Sequence, residues 1–222
     1  MSQATRVIPI ALFLLVHMPA AGQTSLAFSG GMNISSMDIG DESGLVPDVQ
    51  SATGVSLGLA ADFPLSETLG LRLVGRYSQK GGQFTISEGG EHIDASISPA
   101  FLDIAALGRL RFPLAENRLF LALVAGPAVG VAVSCDVDFG VRIVAGPSLN
   151  ISQTCDEANL DWSSVDLGLA GGAAVEVQIT DRFVASSGVL YTYGLVDMDT
   201  SSAASAHHRA LTLDIGLGYA FR

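Results

Sequence analysis

Along most of this chain, apolar and polar or small residues alternate one by one. The pattern is clearest over residues 211–221, where Leu211, Leu213, Ile215, Leu217, Tyr219 and Phe221 fall on one side of a strand. Thr212, Asp214, Gly216, Gly218 and Ala220 fall on the other, because successive side chains of a strand point to opposite faces. Read against turn signals, the alternation predicts eight strands near 25–36, 51–63, 69–81, 99–112, 118–134, 164–179, 182–197 and 207–221. The connections alternate too. Those at 64–68, 114–117 and 180–181 are short, whereas 37–50, 82–98, 135–163 and 198–206 are long, polar and rich in Gly, Ser and Asp.

The predicted fold is an all-β, eight-stranded antiparallel up-and-down transmembrane barrel. Each strand reaches the ~9–11 residues that a tilted membrane strand needs. Short turns on one side and long loops on the other are what such a barrel makes, with periplasmic termini and external long loops. On the third strand Leu69, Leu71, Leu73 and Tyr77 are assigned to lipid, and Arg72, Arg76, Ser78 and Lys80 to the lumen. On the fourth, Leu102, Ile104, Leu110 and Phe112 face out against Asp103, Arg109 and Arg111. On the sixth, Val165, Leu167, Leu169, Val175, Val177 and Ile179 face out against Asp166, Glu176 and Gln178. Aromatics near strand ends are expected to form interface girdles. Phe63, Phe112, Phe120, Phe183, Tyr219 and Phe221 would lie toward the short turns, and Tyr77, Phe101, Trp162 and Tyr193 toward the long loops.

Composition fits a chain that meets lipid. It is 49% hydrophobic with only 15% charged residues and 25 Gly, and its mean hydropathy is +0.44. That is an unusual balance for a soluble domain, yet no later stretch is a continuous apolar run long enough for a spanning helix. Residues 1–22 read as a cleaved export signal: Arg6, an apolar run over 7–18, and Ala20 and Gly22 before Gln23. The expected division is therefore a signal at 1–22 and one barrel at 23–222. The net charge of −11, with Lys80 as the single lysine, excludes a nucleic-acid partner.

Several segments together resemble the PorT-like outer-membrane β-barrel domain family. They are Asp62-Phe63-Pro64-Leu65-Ser66, Leu71-Arg72-Leu73, Tyr77-Ser78-Gln79-Lys80-Gly81, Phe101-Leu102-Asp103-Ile104, Arg118-Leu119-Phe120, Ala125-Gly126-Pro127, Tyr191-Thr192-Tyr193-Gly194-Leu195 and the last strand. The resemblance spans essentially the whole of 23–222 and lies in the order and spacing of these pieces. It implies an OmpA/OmpX-like small barrel in the outer membrane, in a family whose members mostly have no assigned activity. Two positions depart from the pattern: Arg222 follows the terminal aromatic, and Leu190 points inward where a polar residue is usual.

Candidate chemistry is sparse. Asp62, Arg72, Arg109, Arg111 and Glu176 form an inward charge cluster near the short turns, expected to be a salt-bridged plug rather than an ion-selective constriction, since an eight-stranded lumen is just filled by side chains. His207 and His208, near Ser201, Ser202, Ser205, Asp197 and Asp199, have the residue types of a hydrolase but no nucleophile motif. Neighbouring residues on a strand also point apart, so at most one of the two histidines could join such a group. No metal-ligand spacing, calcium loop or cofactor motif is present. Cys135 and Cys155, an even pair in an exported chain, are expected to form a disulfide at the base of the longest loop.

The functional expectation is a non-enzymatic outer-membrane barrel that contributes to envelope structure and offers external loops for surface contacts. Its expected partners are outer-membrane lipid and, through the C-terminal strand, the barrel assembly machinery, with an external ligand left unspecified. Three alternatives stay open: an adhesin or receptor for an external partner, a narrow solute channel, and a lipid A-modifying hydrolase.

Overall fold

Eight strands close on themselves because each finds an antiparallel partner on both sides. In a computed structural model that describes residues 23–40, 50–88, 91–115, 118–143, 149–155, 157, 164–196 and 205–221, ten strands form. They are β1 (Ser25–Gly40), β2 (Gln50–Pro64), β3 (Leu69–Gln79), β4 (Gly82–Glu88), β5 (Glu91–Ala115), β6 (Leu119–Ile143), β7 (Leu149–Thr154), β8 (Val165–Gln178), β9 (Phe183–Gly194) and β10 (Ser205–Ala220). The ring runs β1-β2-β3-β5-β6-β8-β9-β10, and β10 returns to β1 from Ser25↔Ala220 to Gly40↔Ser205. Closure leaves no membrane-level edge, which a bilayer demands because it offers no water to unpaired backbone groups. The expected signal at 1–22, like Trp162, lies outside the described residues.

The faces follow the alternation. Leu59, Ile104, Leu169, Ile215 and Leu217 are among many large apolar side chains left exposed on the outer surface, as a lipid-facing wall requires. Phe183, Tyr219 and Phe221 pack edge-to-face at the short-turn end, with centroids 5.3 and 5.2 Å apart. Arg182 donates a hydrogen bond to the Tyr219 hydroxyl beside them.

Two aromatics assigned to the girdles turn inward instead. Phe101 shares a face with Asp103 and is fully buried, with Lys80 Nζ 4.6 Å from its ring centroid. Phe120 is paired with Glu176 and lies on the same inner face, under the Arg111 guanidinium at 3.3 Å. In both cases a cation over the ring face lets the aromatic fill the lumen beside charge.

The strands β5 and β6 outrun the expectation of 99–112 and 118–134. Each has 25 residues, and their ladder runs from Ala115↔Leu119 to Glu91↔Ile143. At ~3.3 Å per residue and a ~40° tilt, such strands rise about 60 Å, roughly twice the ~30 Å hydrocarbon core. Parts of the long connections 82–98 and 135–163 are therefore sheet: β4 pairs with β5, and β7 with β6. Alternation continues through Ile93 and Ile97, and through Val137, Phe139 and Val141, although intervening acids give these stretches a loop-like composition. A bulge marks the passage. Val133 is the extra residue between Ala132↔Phe101 and Ser134↔Ala100, and beyond it Cys135 and Val137 share a face with Pro99 and Ile97.

Glycines set the curvature where strands approach closely. A Cβ on Gly172 would fall on the Val189 carbonyl oxygen, and one on Gly168 would crowd Tyr193 O at 2.5 Å. The Gly168–Gly172 stretch is thus a place of backbone approach within β8 and not a phosphate loop.

Candidate functional site

The lumen is filled in layers, and each layer is built by alternate residues of different strands. At the short-turn end the structure brings together all five residues of the expected charge cluster. Asp62 of β2 takes a two-pronged contact from Arg72 of β3, with Nε at 2.7 Å and Nη2 at 2.9 Å. Glu176 of β8, only 2% exposed, collects three guanidiniums: Arg109 at 2.6 Å to Oε2, Arg111 Nε at 2.9 Å and Arg72 at 3.5 Å. Ser25 donates a longer hydrogen bond to Asp62 at 3.4 Å. Buried charges persist only when paired with good geometry, and here each carboxylate meets at least two cations.

Above this layer lies an apolar belt of Val74, Ala105, Leu107, Ala170 and Leu190. Leu190, the inward apolar residue that departs from the family pattern, is a member of it. Arg76 and Asp214 pair at 3.2 Å beside the belt.

A second polar layer sits toward the long loops, and of its members the alternation alone assigns Lys80, Asp103 and Asp166 to the lumen. Lys80 Nζ bonds Asp103 at 2.9 Å and Asp166 at 3.4 Å, and His208 Nδ1 stands 3.5 Å from Asp166. Asn33 ties three strands together next to it, donating to Ser78 Oγ and accepting from Thr212, both at 3.2 Å. The signal that could have grouped these residues is parity alone: Lys80, Asp103, Asp166 and His208 all occupy inward positions. Their partnership depends on the stagger of the barrel, which local pattern does not carry.

His208 is thus a lumen residue with an acid from another strand. Ser201, Ser202, Asp197 and Asp199 lie outside the described residues, as do the side chains of Ser205 and His207. No group of three His, Cys, Asp or Glu able to hold a metal occurs among the described residues.

The lumen opens into a vestibule of about 380 Å³ at the short-turn end, with the five-residue cluster in its wall. A smaller void of about 40 Å³ lies past Arg72, between Val74, Leu107, Leu190 and the Arg76–Asp214 pair.

Cys135 and Cys155 are joined by a disulfide across Cα atoms 5.4 Å apart. The Cys155 amide also donates to the Cys135 carbonyl at 3.1 Å, continuing the β6–β7 ladder by one step. Thr154 and Glu157 lock the exit. The Thr154 amide donates to Glu157 Oε2 at 3.0 Å, and the Glu157 amide to Thr154 Oγ1 at 3.4 Å. The Thr154 amide first, and the Thr154 hydroxyl beside it, hold the Glu157 carboxyl below the usual carboxylate range. We predict that protein purified from outer membranes without reductant shows no alkylatable thiol by mass; two alkylated cysteines would contradict the bond.

A closed ring of amphipathic antiparallel strands, apolar outside and ion-paired within, defines a transmembrane β-barrel of the outer-membrane type. The family model for the outer membrane protein beta-barrel domain matches residues 20–200, and the chain belongs to that family. It is accordingly a protein of the bacterial outer membrane. Among solved structures it is similar to OprG of Pseudomonas aeruginosa, with 15% identity, 91% of this chain and 98% of that chain covered, and a TM-score of 0.49. It is also similar to outer membrane protein W of E. coli, with 16% identity, coverage of 92% and 100%, and a TM-score of 0.43. A third similar structure is Ail of Yersinia pestis in complex with the heparin analogue sucrose octasulfate, with 15% identity, coverage of 90% and 99%, and a TM-score of 0.42. No curated protein matches the chain.

Proposed function

We propose that this protein is a non-enzymatic, non-conducting barrel that contributes to envelope structure and carries a raised sheet for surface contacts. Within its family, the PorT-like resemblance is the narrower placement we favour. The observation that carries the reading is the β5–β6 ladder of two 25-residue strands, which overshoots the membrane on the long-loop side and is braced there by β4, β7 and the disulfide. In the orientation common to such barrels the termini are periplasmic and this sheet is external. The last strand, β10, would present the barrel to the assembly machinery.

The filled lumen supports the non-conducting part. Two ionic layers and an apolar belt lie across it, and a permeant ion would have to replace short, buried charge pairs. Purified protein in planar bilayers is expected to show no stepwise conductance. Regular single-channel steps would favour the solute-channel reading instead.

The adhesin or receptor reading rests on one specific observation. Phe139 and Ile151 are directly paired on the raised sheet, and both are exposed. An apolar pair held in water by a rigid sheet is suited to burial against a partner. Replacing 139–151 by a short turn should leave a heat-modifiable barrel while abolishing any adhesion of expressing cells to host-cell monolayers. Unchanged adhesion would assign binding elsewhere. A lipid-modifying role draws no support from His208, which points into the lumen, whereas membrane lipid contacts the outer wall.

A further inference from the structure

The vestibule at the short-turn end is wider than the ion pairs in it require, and the charges of its inner layer do not cancel. Three guanidiniums, of Arg72, Arg109 and Arg111, face two carboxylates, of Asp62 and Glu176. Arg111 is the most accessible of the three, with 27% of its side chain exposed, against 17% and 12% for Arg72 and Arg109. Its orientation is held from two sides. Nε donates to Glu176 at 2.9 Å, and the guanidinium carbon Cζ lies 3.3 Å from the centroid of the Phe120 ring. Among the described residues it makes no other side-chain hydrogen bond, so both terminal nitrogens keep their donors for the cavity that Arg111 lines. Arg109 adds a second guanidinium, its buried Nε without a hydrogen bond and 3.7 Å from Asp62 Oδ1.

A fixed planar fork with open donors, in an inner layer that holds three cations to two acids, is built for a planar anion. We infer that the vestibule binds a single carboxylate group, with Arg111 as its principal ligand. This goes beyond the structural reading above and does not depend on it. The carboxylate would complete the network to three acids against three bases and fill space now lined by Ser186 and Gln178. The turn residues Glu67 and Asp181 also line the mouth. Both are exposed there, where water and salt screen them. Screening weakens their charge without removing it, and with four acids against three bases in the whole lining a second charge on the ligand is disfavoured, which ranks a carboxylate above phosphate.

Full-length mature protein refolded in detergent micelles, titrated with acetate at constant ionic strength against chloride, tests this. The arginine side-chain nitrogen signals are followed by NMR, with phosphate in a parallel titration. Acetate should give a saturable shift of the Arg111 Nε signal, phosphate should bind more weakly, and chloride should give none. Arg111→Gln should weaken acetate binding at least tenfold, read on the Arg109 signal, and Arg111→Lys should recover part of it. A linear, unsaturable response in the unaltered protein would overturn the site, whatever the variants do. Equal affinity in a folded Arg111→Gln barrel would overturn the role of Arg111, and phosphate binding as tightly as acetate would overturn the carboxylate preference. A dissolved small acid and a carboxylate carried on a larger periplasmic molecule are distinguished by repeating the titration with a peptide bearing one free C-terminal carboxylate. Binding tighter than acetate would indicate the larger source, and exclusion the small one.

Discussion

Glu176→Gln is expected to destabilise the barrel by about 3–5 kcal/mol, the cost of leaving buried charge without its partner. Glu176 is the single acid that Arg109 and Arg111 both engage at hydrogen-bond distance, and it also meets Arg72. Without its charge, Asp62 alone remains to balance three guanidiniums in that layer. A neutral amide keeps the volume, so the loss reports on charge and not on a cavity. Arg111→Gln should cost clearly less, because Glu176 keeps Arg109 and Arg72 and the layer loses only its surplus cation. The comparison is read from urea midpoints of both variants refolding into lipid vesicles. Equal midpoints for Glu176→Gln and the unaltered barrel would mean that water already enters this layer and screens it.

The outer wall carries the second large effect. Leu213 lies midway along β10 with its side chain on the lipid face, between Met32 of β1 and Val189 of β9. Leu213→Arg should cost ~2–4 kcal/mol, the range for a cation near the bilayer midplane on a barrel exterior. Asp136→Lys, exposed on the raised part of β6, should cost little because its side chain remains in water. Equal tolerance of both in the same refolding assay would contradict the assignment of faces.

The lipid face and the ring order were legible in the chain because both depend on local pattern. Period-two alternation places Leu213 and Ile215 outside and Asp214 inside whatever their neighbours are, and the rhythm of short and long connections orders the strands. The five-residue cluster at the short turns was legible for a related reason, since Asp62, Arg72, Arg109, Arg111 and Glu176 are inward residues at the same end of their strands. Phe101 and Phe120 were misplaced where two cues conflicted. Position near a strand end suggests a girdle, but Phe101 shares its parity with Asp103, and Phe120 with the buried Ala122, and parity is the constraint that a pleated backbone enforces.

The raised sheet was harder to see. Glu88, Glu91 and Asp94 make 82–98 look like a solvated loop, yet charge on a strand above the membrane is no obstacle to pairing. The register of Val133 was not legible at all. A bulge is an agreement between two strands, here Ala100 with Ser134 and Phe101 with Ala132, and neither strand alone records it. The same holds for Lys80 and Asp166, 86 residues apart, whose meeting is set by how the ring is staggered.

The central claim is a closed barrel resident in the outer membrane, and cell fractionation combined with gel mobility before and after boiling tests it most directly. The protein should sediment with outer membranes and migrate faster unheated than heated, because the compact closed sheet resists detergent until boiled. A freely soluble periplasmic protein whose mobility does not change on heating would contradict it.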